Sequence, residues 1–464
     1  MIDLQFDMLA SIVNGTLTNS DTASRRFTGV SIDSRTLKAG ELFFAIRGEK
    51  SDGHSYIADA VKVGASGVVV DFDPEGVKGV PGDRAIVTVK DTHEALIALA
   101  GWYRDKVNPT VVGITGSNGK TTTKEITYQL LSAVTASVYR SPGNLNNLFG
   151  LPLSILRMPA LTKIAVFEMG ISVPGEMTRL TQLAKVDIAV LLNVGPSHLQ
   201  FLNSVEDVVR AKLEMVTSSN RSVKLIYNAD SPVISAEVKK LKLPSVTFGL
   251  SEAADITAQN VAIANDGSTD VAIDEHSFRL GLPGRHQVYN LLAAYAIART
   301  LNLSFDSVDT QAIRFSTANW RGQILVQNGV RFLADCYNAN PESVKAGLKA
   351  FFEIPWTGRR IVVLGDMLEL GKDAPRYHQQ IGAELGKYTF NQVFLVGPLS
   401  NHIHFGAVNN GVEEARCRHF RDAVSLARIA PRLFEPGDFV YLKASRGIGL
   451  EVVLDAYAEK EEAA

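Results

Sequence analysis

Lys120 and Thr121 follow two closely spaced glycines, Gly116 and Gly119, in the run VVGITGSNGKTTTKE (111–125). Glycines on either side of Ser117 and Asn118 let backbone N–H groups turn inward around a phosphate. A helix opening at Lys120 adds partial positive charge from its N-terminus. The lysine reaches the outer phosphates, the Thr121 hydroxyl is a ligand for Mg²⁺, and Thr122 continues the first turn. The full phosphate-loop pattern has a further glycine five positions before Gly119, where this chain has Ile114, so the loop is the shorter G-x-x-G-K-T form.

Three more groups belong to the same chemistry. Glu168 lies near the end of the apolar run KIAVFEM (163–169), and His198 ends the loop NVGPSH that follows the run DIAVLLNV (187–194). Oxygen and nitrogen ligands at the ends of neighbouring strands, beside a phosphate loop, suit Mg²⁺ near a triphosphate. Lys212 falls in a helix expected over 204–216, on the apolar stripe of Val205, Val208, Val209, Leu213 and Val216. Ser204 can cap that helix, and Glu206 and Asp207 in its first turn suit the dipole. Two readings of Lys212 stand open. Its ammonium can snorkel out of the apolar face. Alternatively it is partly buried with a depressed pKa, so that a neutral amine takes up CO₂ as a carbamate and becomes an anionic ligand for a second Mg²⁺.

The elements that must position these groups read as α/β. Apolar runs at 110–115, 163–169, 187–194 and 224–228 alternate with helical patterns, which predicts a parallel sheet wound around the phosphate loop. Ligands in such sheets sit beyond the carboxyl ends of the strands. Before it, residues 1–91 mix short strands such as LFFAI (42–46) and SGVVVDF (66–72) with a helix near 56–63, and a helix from about Thr92 to Lys106 leads into the sheet. This first region has two polar turns. One holds Ser31, Asp33, Ser34 and Arg35; the other holds Arg47, Lys50, Asp52, Gly53 and His54. Both read as turn chemistry or as sites for a phosphate or sugar. The middle region, 92–316, runs on to a loop with Arg285 and His286 that feeds a helix bearing Asn290, one turn in. The last region, 317–464, has strands at 331–338, 360–366, 392–397 and 438–445 and reads as a second doubly wound α/β domain. Its strand ends carry Asp335, Asn338, Asn340, Asp366, Lys443, Ser445 and Arg446 but no second phosphate loop, which suggests a lid or a domain for a second substrate.

Bulk composition excludes several classes. The chain has 464 residues, 46% hydrophobic and 21% charged, with mean hydropathy +0.06. Its net charge of −2 offers nothing to nucleic acid. No segment reads as a membrane span. The acidic start MIDLQFDMLASIVNG has no basic region of a secretory signal. Two cysteines, Cys336 and Cys417, form no disulfide framework, so a reducing cytoplasm is expected, with a monomer as the default.

Taken together, GITGSNGKTTTKE, PGNLNNLFGLPLSIL, FEMGISVPGEM, NVGPSHL, the RAKLEM lysine, LPGRHQVYN, DCYNANPES and GDMLELG resemble the Mur ligase family over nearly the whole chain. The resemblance implies three domains: an N-terminal one for a UDP-sugar, a central ATPase-like one and a C-terminal Rossmann-like one. It implies ATP-driven amide formation, in which the terminal carboxylate of a UDP-MurNAc-tripeptide takes the γ-phosphoryl group and the amine of D-Ala-D-Ala then displaces phosphate. Carried over residue by residue, Lys120 contacts the β- and γ-phosphates. Thr121 and Glu168 hold the first Mg²⁺, and His198 and carbamylated Lys212 the second. Asn290 faces adenine, and Arg321 and Asp335 approach ATP from the last domain. Ser31, Asp33, Ser34 and Arg35 belong to the UDP site. Asn144, Asn146 and Asn147 face the sugar–peptide, and Asn338, Asn340, Ser445 and Arg446 lie near the dipeptide or lid. The chain departs from the family pattern at Gln287, where asparagine is usual, at Ala444, where glycine is usual, and at Gly322–Gln323 after Arg321. Rival expectations are a sibling ligase adding a single diamino acid to UDP-MurNAc-dipeptide, a folylpolyglutamate synthase, and a nucleotide-gated binding module without turnover. The D-N-P-R motif of the diamino-acid sibling is absent, the first region argues against the folate enzyme, and Lys120, Glu168, His198 and Lys212 argue against a module without turnover.

Overall fold

A computed structural model describes residues 2–48, 51–71, 80–195, 204–219, 221–317 and 320–458. Two residues singled out above, Lys50 and His198, lie outside them. The run TVVGIT forms a strand over Thr110–Thr115, since β-branched residues suit a sheet covered on both faces, and five of its six residues are buried. It belongs to a seven-stranded, all-parallel sheet, with Ile188–Leu191 on one side and Ile164–Glu168 on the other. The register pairs Glu168 with Ile114 and Leu191 with Thr115. Glu168, the glycine loop and Asn193 therefore leave the sheet at one edge. The chain winds first to one side of the Thr110 strand and then to the other, and open α/β sheets bind ligands at such a switch point.

The sheet is wider than the sequence implies. Val138–Arg140, Ser245–Gly249 and Ile256–Thr257 add three strands, too short or too polar to show a period. Beyond them, Gln259–Ile263, Thr269–Ile273 and His276–Leu280 make a separate antiparallel sheet. Arg285 and His286, expected in a loop, instead form the first turn of the helix Arg285–Thr300. Pro283 and Gly284 supply the turn, and Gly284 takes the left-handed φ of +97° that only glycine adopts easily. The helix then buries its Ala-rich face against the phosphate-loop helix, Lys120–Ser132.

The first region is a five-stranded sheet in the order Thr16–Leu17, Ala85–Thr88, Gly67–Val70, Leu42–Phe44, Val30–Ser31, parallel except for its first pair. Its core runs on into that of the central sheet through the helix Thr92–Val107, which Asp91 caps by accepting from the amides of His93 and Glu94. The last region is a six-stranded sheet in the order Gln323–Gln327, Val330–Ala334, Phe439–Lys443, Arg360–Gly365, Gln392–Val396, Cys417–Phe420. It is parallel apart from the hairpin that opens it. Among the described residues no helix is long and apolar enough to cross a membrane.

Candidate active site

The glycine loop is held by a neighbour that sequence reasoning passed over. Asn193, just past its strand, accepts the Asn118 amide on Oδ1 at 2.8 Å and donates from Nδ2 to the Asn118 carbonyl at 2.9 Å; its own carbonyl accepts the Ser117 amide. Gly119 sits at φ +82° and leads into the helix. Beneath it, Asn290 accepts from the Thr123 hydroxyl at 3.0 Å and donates to Gln287 at 2.8 Å. A Cβ on Gly119 would stand 2.5 Å from Asn290 Oδ1, so glycine is required there for close approach as well as for φ. Asn290 lines the cleft, but its amide is already bonded to Thr123 and Gln287.

Lys120 folds back on the loop, its Nζ donating to the carbonyls of Gly116 at 2.8 Å and Ser117 at 3.4 Å. Burial pushes its ammonium below the usual lysine range, with Glu168 opposing and Arg321 adding to the shift. At the next residue, the Thr121 hydroxyl donates to Glu168 Oε2 at 2.6 Å, and Asn146 donates to Glu168 Oε1 at 2.7 Å. Both Thr121 and Glu168 are buried. A hydroxyl and a carboxylate meeting at the foot of a phosphate loop are hard oxygen donors of the kind Mg²⁺ takes.

Lys212 stands in the helix Val205–Thr217, and Ser204 caps that helix by accepting the Asp207 amide at 3.1 Å. Only 3% of Lys212 is exposed, so the snorkelling reading fails. Burial, with the nearby charge of Lys120 behind it, holds its ammonium well below the usual range. Lys212 therefore favours the neutral amine that a carbamate needs. His198 lies outside the described residues.

The C-terminal sheet closes the cleft from the other side. Arg321, Asp335, Tyr337, Asn338, Asn340 and Lys443 line it together with Ser117–Thr122, Asn144, Asn146, Glu168 and His286, around a volume of about 460 Å³. Arg321 lies 3.8 Å from the centre of the Tyr337 ring, and its Nε is buried with no hydrogen-bond partner among the described residues. A guanidinium N–H left over beside a lysine and a phosphate loop fits an anion. Asp335 pairs with Lys443 at 2.7 Å. Burial pushes His286 down to about 4. Asn118 and Asn340 exchange amide hydrogen bonds at 2.7 and 3.3 Å, joining the glycine loop to the N-cap of the helix Pro341–Glu353.

Other expected residues fall elsewhere. Asn147 does not line the cleft; its Oδ1 accepts the amides of Phe149 and Gly150 and opens the helix Gly150–Leu156. Ser445 donates to the Ala339 carbonyl and accepts from the Leu368 amide, so it ties the C-terminal loops together. Arg446 pairs with Glu451 at 2.7 Å. The turn of Ser31, Asp33, Ser34 and Arg35 lies in the first region, away from the cleft lining. Ser31 bonds the Asp33 backbone, and Arg35 holds the Asp33 carboxyl below its usual range. In the second polar turn Arg47 pairs with Asp71 and Asp52, and His54 stands between the same two carboxylates. The charged groups described in both turns are met by neighbouring side chains.

Comparisons with known proteins agree along the chain. Residues 26–104 match the Mur ligase family, catalytic domain; residues 114–298 match the Mur ligase middle domain; and residues 320–446 match the Mur ligase, glutamate ligase domain. The UDP-N-acetylmuramoyl-tripeptide–D-alanyl-D-alanine ligase of Bacillus subtilis is 34% identical over 98% of both chains. A crystal structure of MurF ligase from Thermotoga maritima in complex with ADP is 30% identical, covers 94% of this chain and 98% of its own, and superposes with a TM-score of 0.78. A MurF crystal structure from Acinetobacter baumannii, 24% identical, shares the fold over 99% of each chain with a TM-score of 0.86.

Proposed function

The chain belongs to the Mur ligase family, and on that premise we propose that it is an ATP-dependent ligase joining D-alanyl-D-alanine to the terminal carboxylate of UDP-MurNAc-tripeptide. The observation that carries this reading is one cleft in which a phosphate loop and a buried Thr121–Glu168 pair face Arg321 and Asp335 from the C-terminal sheet. The relatives cited act on these substrates by name, and the Thermotoga structure holds ADP.

In this reading a carboxylate oxygen of the tripeptide attacks the γ-phosphorus, the bond to the β-phosphate oxygen breaks, and ADP leaves. The dipeptide amine then attacks the acyl carbon, phosphate departs, and the amine nitrogen loses a proton. Transfer between two anions needs alignment and charge neutralisation more than covalent help. Lys120 swings from its loop carbonyls to the β- and γ-phosphates, and the amides of Gly116–Thr121 follow their contour. Arg321 aims its Nε–H at the same anion. Asn144 and Asn146 border the tripeptide, while Asn338 and Asn340 border the dipeptide. Thr121 and Glu168 would hold one Mg²⁺, and Lys212, as a carbamate, would hold a second with His198. Bound Mg²⁺ supplies neutralisation of the phosphoryl oxygens. Asn290 supports the loop under the nucleotide, and Ser31, Asp33, Ser34 and Arg35 would turn outward to the UDP group. With free cysteines and a nucleotide co-substrate, the protein would act in the cytoplasm as a step of peptidoglycan synthesis.

A phosphate-release assay tests the assignment. With ATP and UDP-MurNAc-tripeptide, release is expected with D-Ala-D-Ala and not with single amino acids. Release only with UDP-MurNAc-dipeptide and a diamino acid would overturn it in favour of the sibling ligase.

A further inference from the structure

Lys124 is fully buried, at 0% exposure, and no step above uses it. It lies three residues after Thr121 in the phosphate-loop helix, so both side chains leave the same face. Thr121 holds Glu168. Lys124 reaches past it to the loop after the strand Val138–Arg140, where its Nζ donates to the carbonyls of Ser141 at 2.8 Å and Gly143 at 2.5 Å. That loop grips Glu168 twice: the Ser141 hydroxyl accepts the Glu168 amide at 3.3 Å, and Asn146 donates to Oε1. Its outer side presents Asn144 and Asn146 to the cleft.

We propose that Lys124 is a positioning residue for the UDP-linked peptide: it draws two loop carbonyls inward and so sets Asn144 and Asn146 at the cleft wall. The proposal rests on the ligase reading above. Two carbonyls converging on one buried point need a donor with two N–H groups. A neutral amide can supply that, whereas a buried ammonium costs desolvation. Its charge is only partly met by Glu125, 3.2 Å away, which Arg140 also engages at 2.6 Å. One cation thus fixes the backbone that carries the asparagines. None of its contacts belongs to the amides and lysine that would bind nucleotide, so nucleotide and peptide affinities should separate on substitution.

Lys124→Met, close in volume and uncharged, is compared with wild type by steady-state kinetics and by thermal shift with Mg-ADP. The expected result is a KM for UDP-MurNAc-tripeptide raised about 10-fold or more, as supporting groups around a ligand typically show. The KM values for ATP and D-Ala-D-Ala stay within about twofold, and the ADP-induced shift in Tm is retained. Lys124→Gln, which keeps a donor without the charge, should fall between the two. Equal rises in all three KM values, or none, would overturn the proposal. So would failure of both variants to fold into a nucleotide-binding protein, since the lysine would then serve folding alone. A wild-type protein that turns over neither substrate pair overturns the ligase reading and this proposal with it; an active wild type matched by both variants overturns only the role of Lys124.

Discussion

At the carboxyl edge of the C-terminal sheet Lys443 is buried against Asp335 at 2.7 Å, and at the opposite end of the same strand Arg359 lies 2.8 Å from Asp438. At the edge of the central sheet Lys212 is buried and Lys120 half-buried, yet neither forms an ion pair among the described residues, and both ammonium groups are pushed down by desolvation. The two sheets share a winding and a row of polar strand ends. They differ in whether buried positive charge is already met. A compensated cation holds the scaffold; an uncompensated one is strained toward an anion that the fold does not contain. In the proposed reaction, that difference would let the central edge take the triphosphate and the C-terminal edge close over it.

Removing an uncompensated cation should cost activity and not stability. Lys120→Ala is expected to lower turnover by about 10³-fold, or about 4 kcal/mol in the barrier, without lowering the unfolding free energy. Wild-type rates in single-turnover assays would break the comparison. Lys212→Ala should lose about 10²-fold, the scale of losing a group that holds a metal, and a small added carboxylate such as formate should restore part of it. Full activity without rescue would remove the carbamate. Across the cleft a loss of stability is expected as well. Asp335→Asn leaves Lys443 buried beside a neutral amide, and denaturant unfolding should show a loss of about 2 kcal/mol, scaled down because the carboxylate is about one-quarter exposed. A stability equal to wild type would mean that the pair is not the compensation described.

The smallest effect concerns His286. Its folded pKa, about 4, lies below the unfolded value near 6.5, so the unfolded chain binds more protons in that interval. Stability is fully present above about pH 6.5 and falls as pH drops towards about 4. The loss between about pH 7 and about pH 6 is about 0.7 kcal/mol. His286→Gln should flatten that slope; an unchanged slope would assign it to other groups.

The parts of the site that were legible in the sequence are those whose geometry is local. The glycine loop, the Ser204 cap and the placement of Lys212 on an apolar face each follow from a few adjacent residues, and the position of Glu168 at the end of an apolar run put it on the same sheet edge as the loop. What the sequence hid is non-local. Asn193 lies about 75 positions from the loop it holds, and Asn340 about 222 positions from Asn118, and no spacing rule links them. Asn147 and Ser445 sit in motifs that looked functional, but their side chains are spent on backbone amides and carbonyls, which a one-dimensional pattern does not distinguish from outward-facing ones. Arg285 and His286 were misplaced because Pro283–Gly284 reads as a loop when it is only the turn before a helix.

The central claim is that the uncompensated cations at the central edge hand the γ-phosphoryl group to a carboxylate. It is tested most directly by turnover with UDP-MurNAc-tripeptide whose terminal carboxylate carries heavy oxygen. Mass spectrometry of the released phosphate should find one carboxylate oxygen transferred per amide bond formed, because the acyl phosphate breaks at its carbon when the amine attacks. Unlabelled phosphate accompanying labelled amide and water would contradict the account.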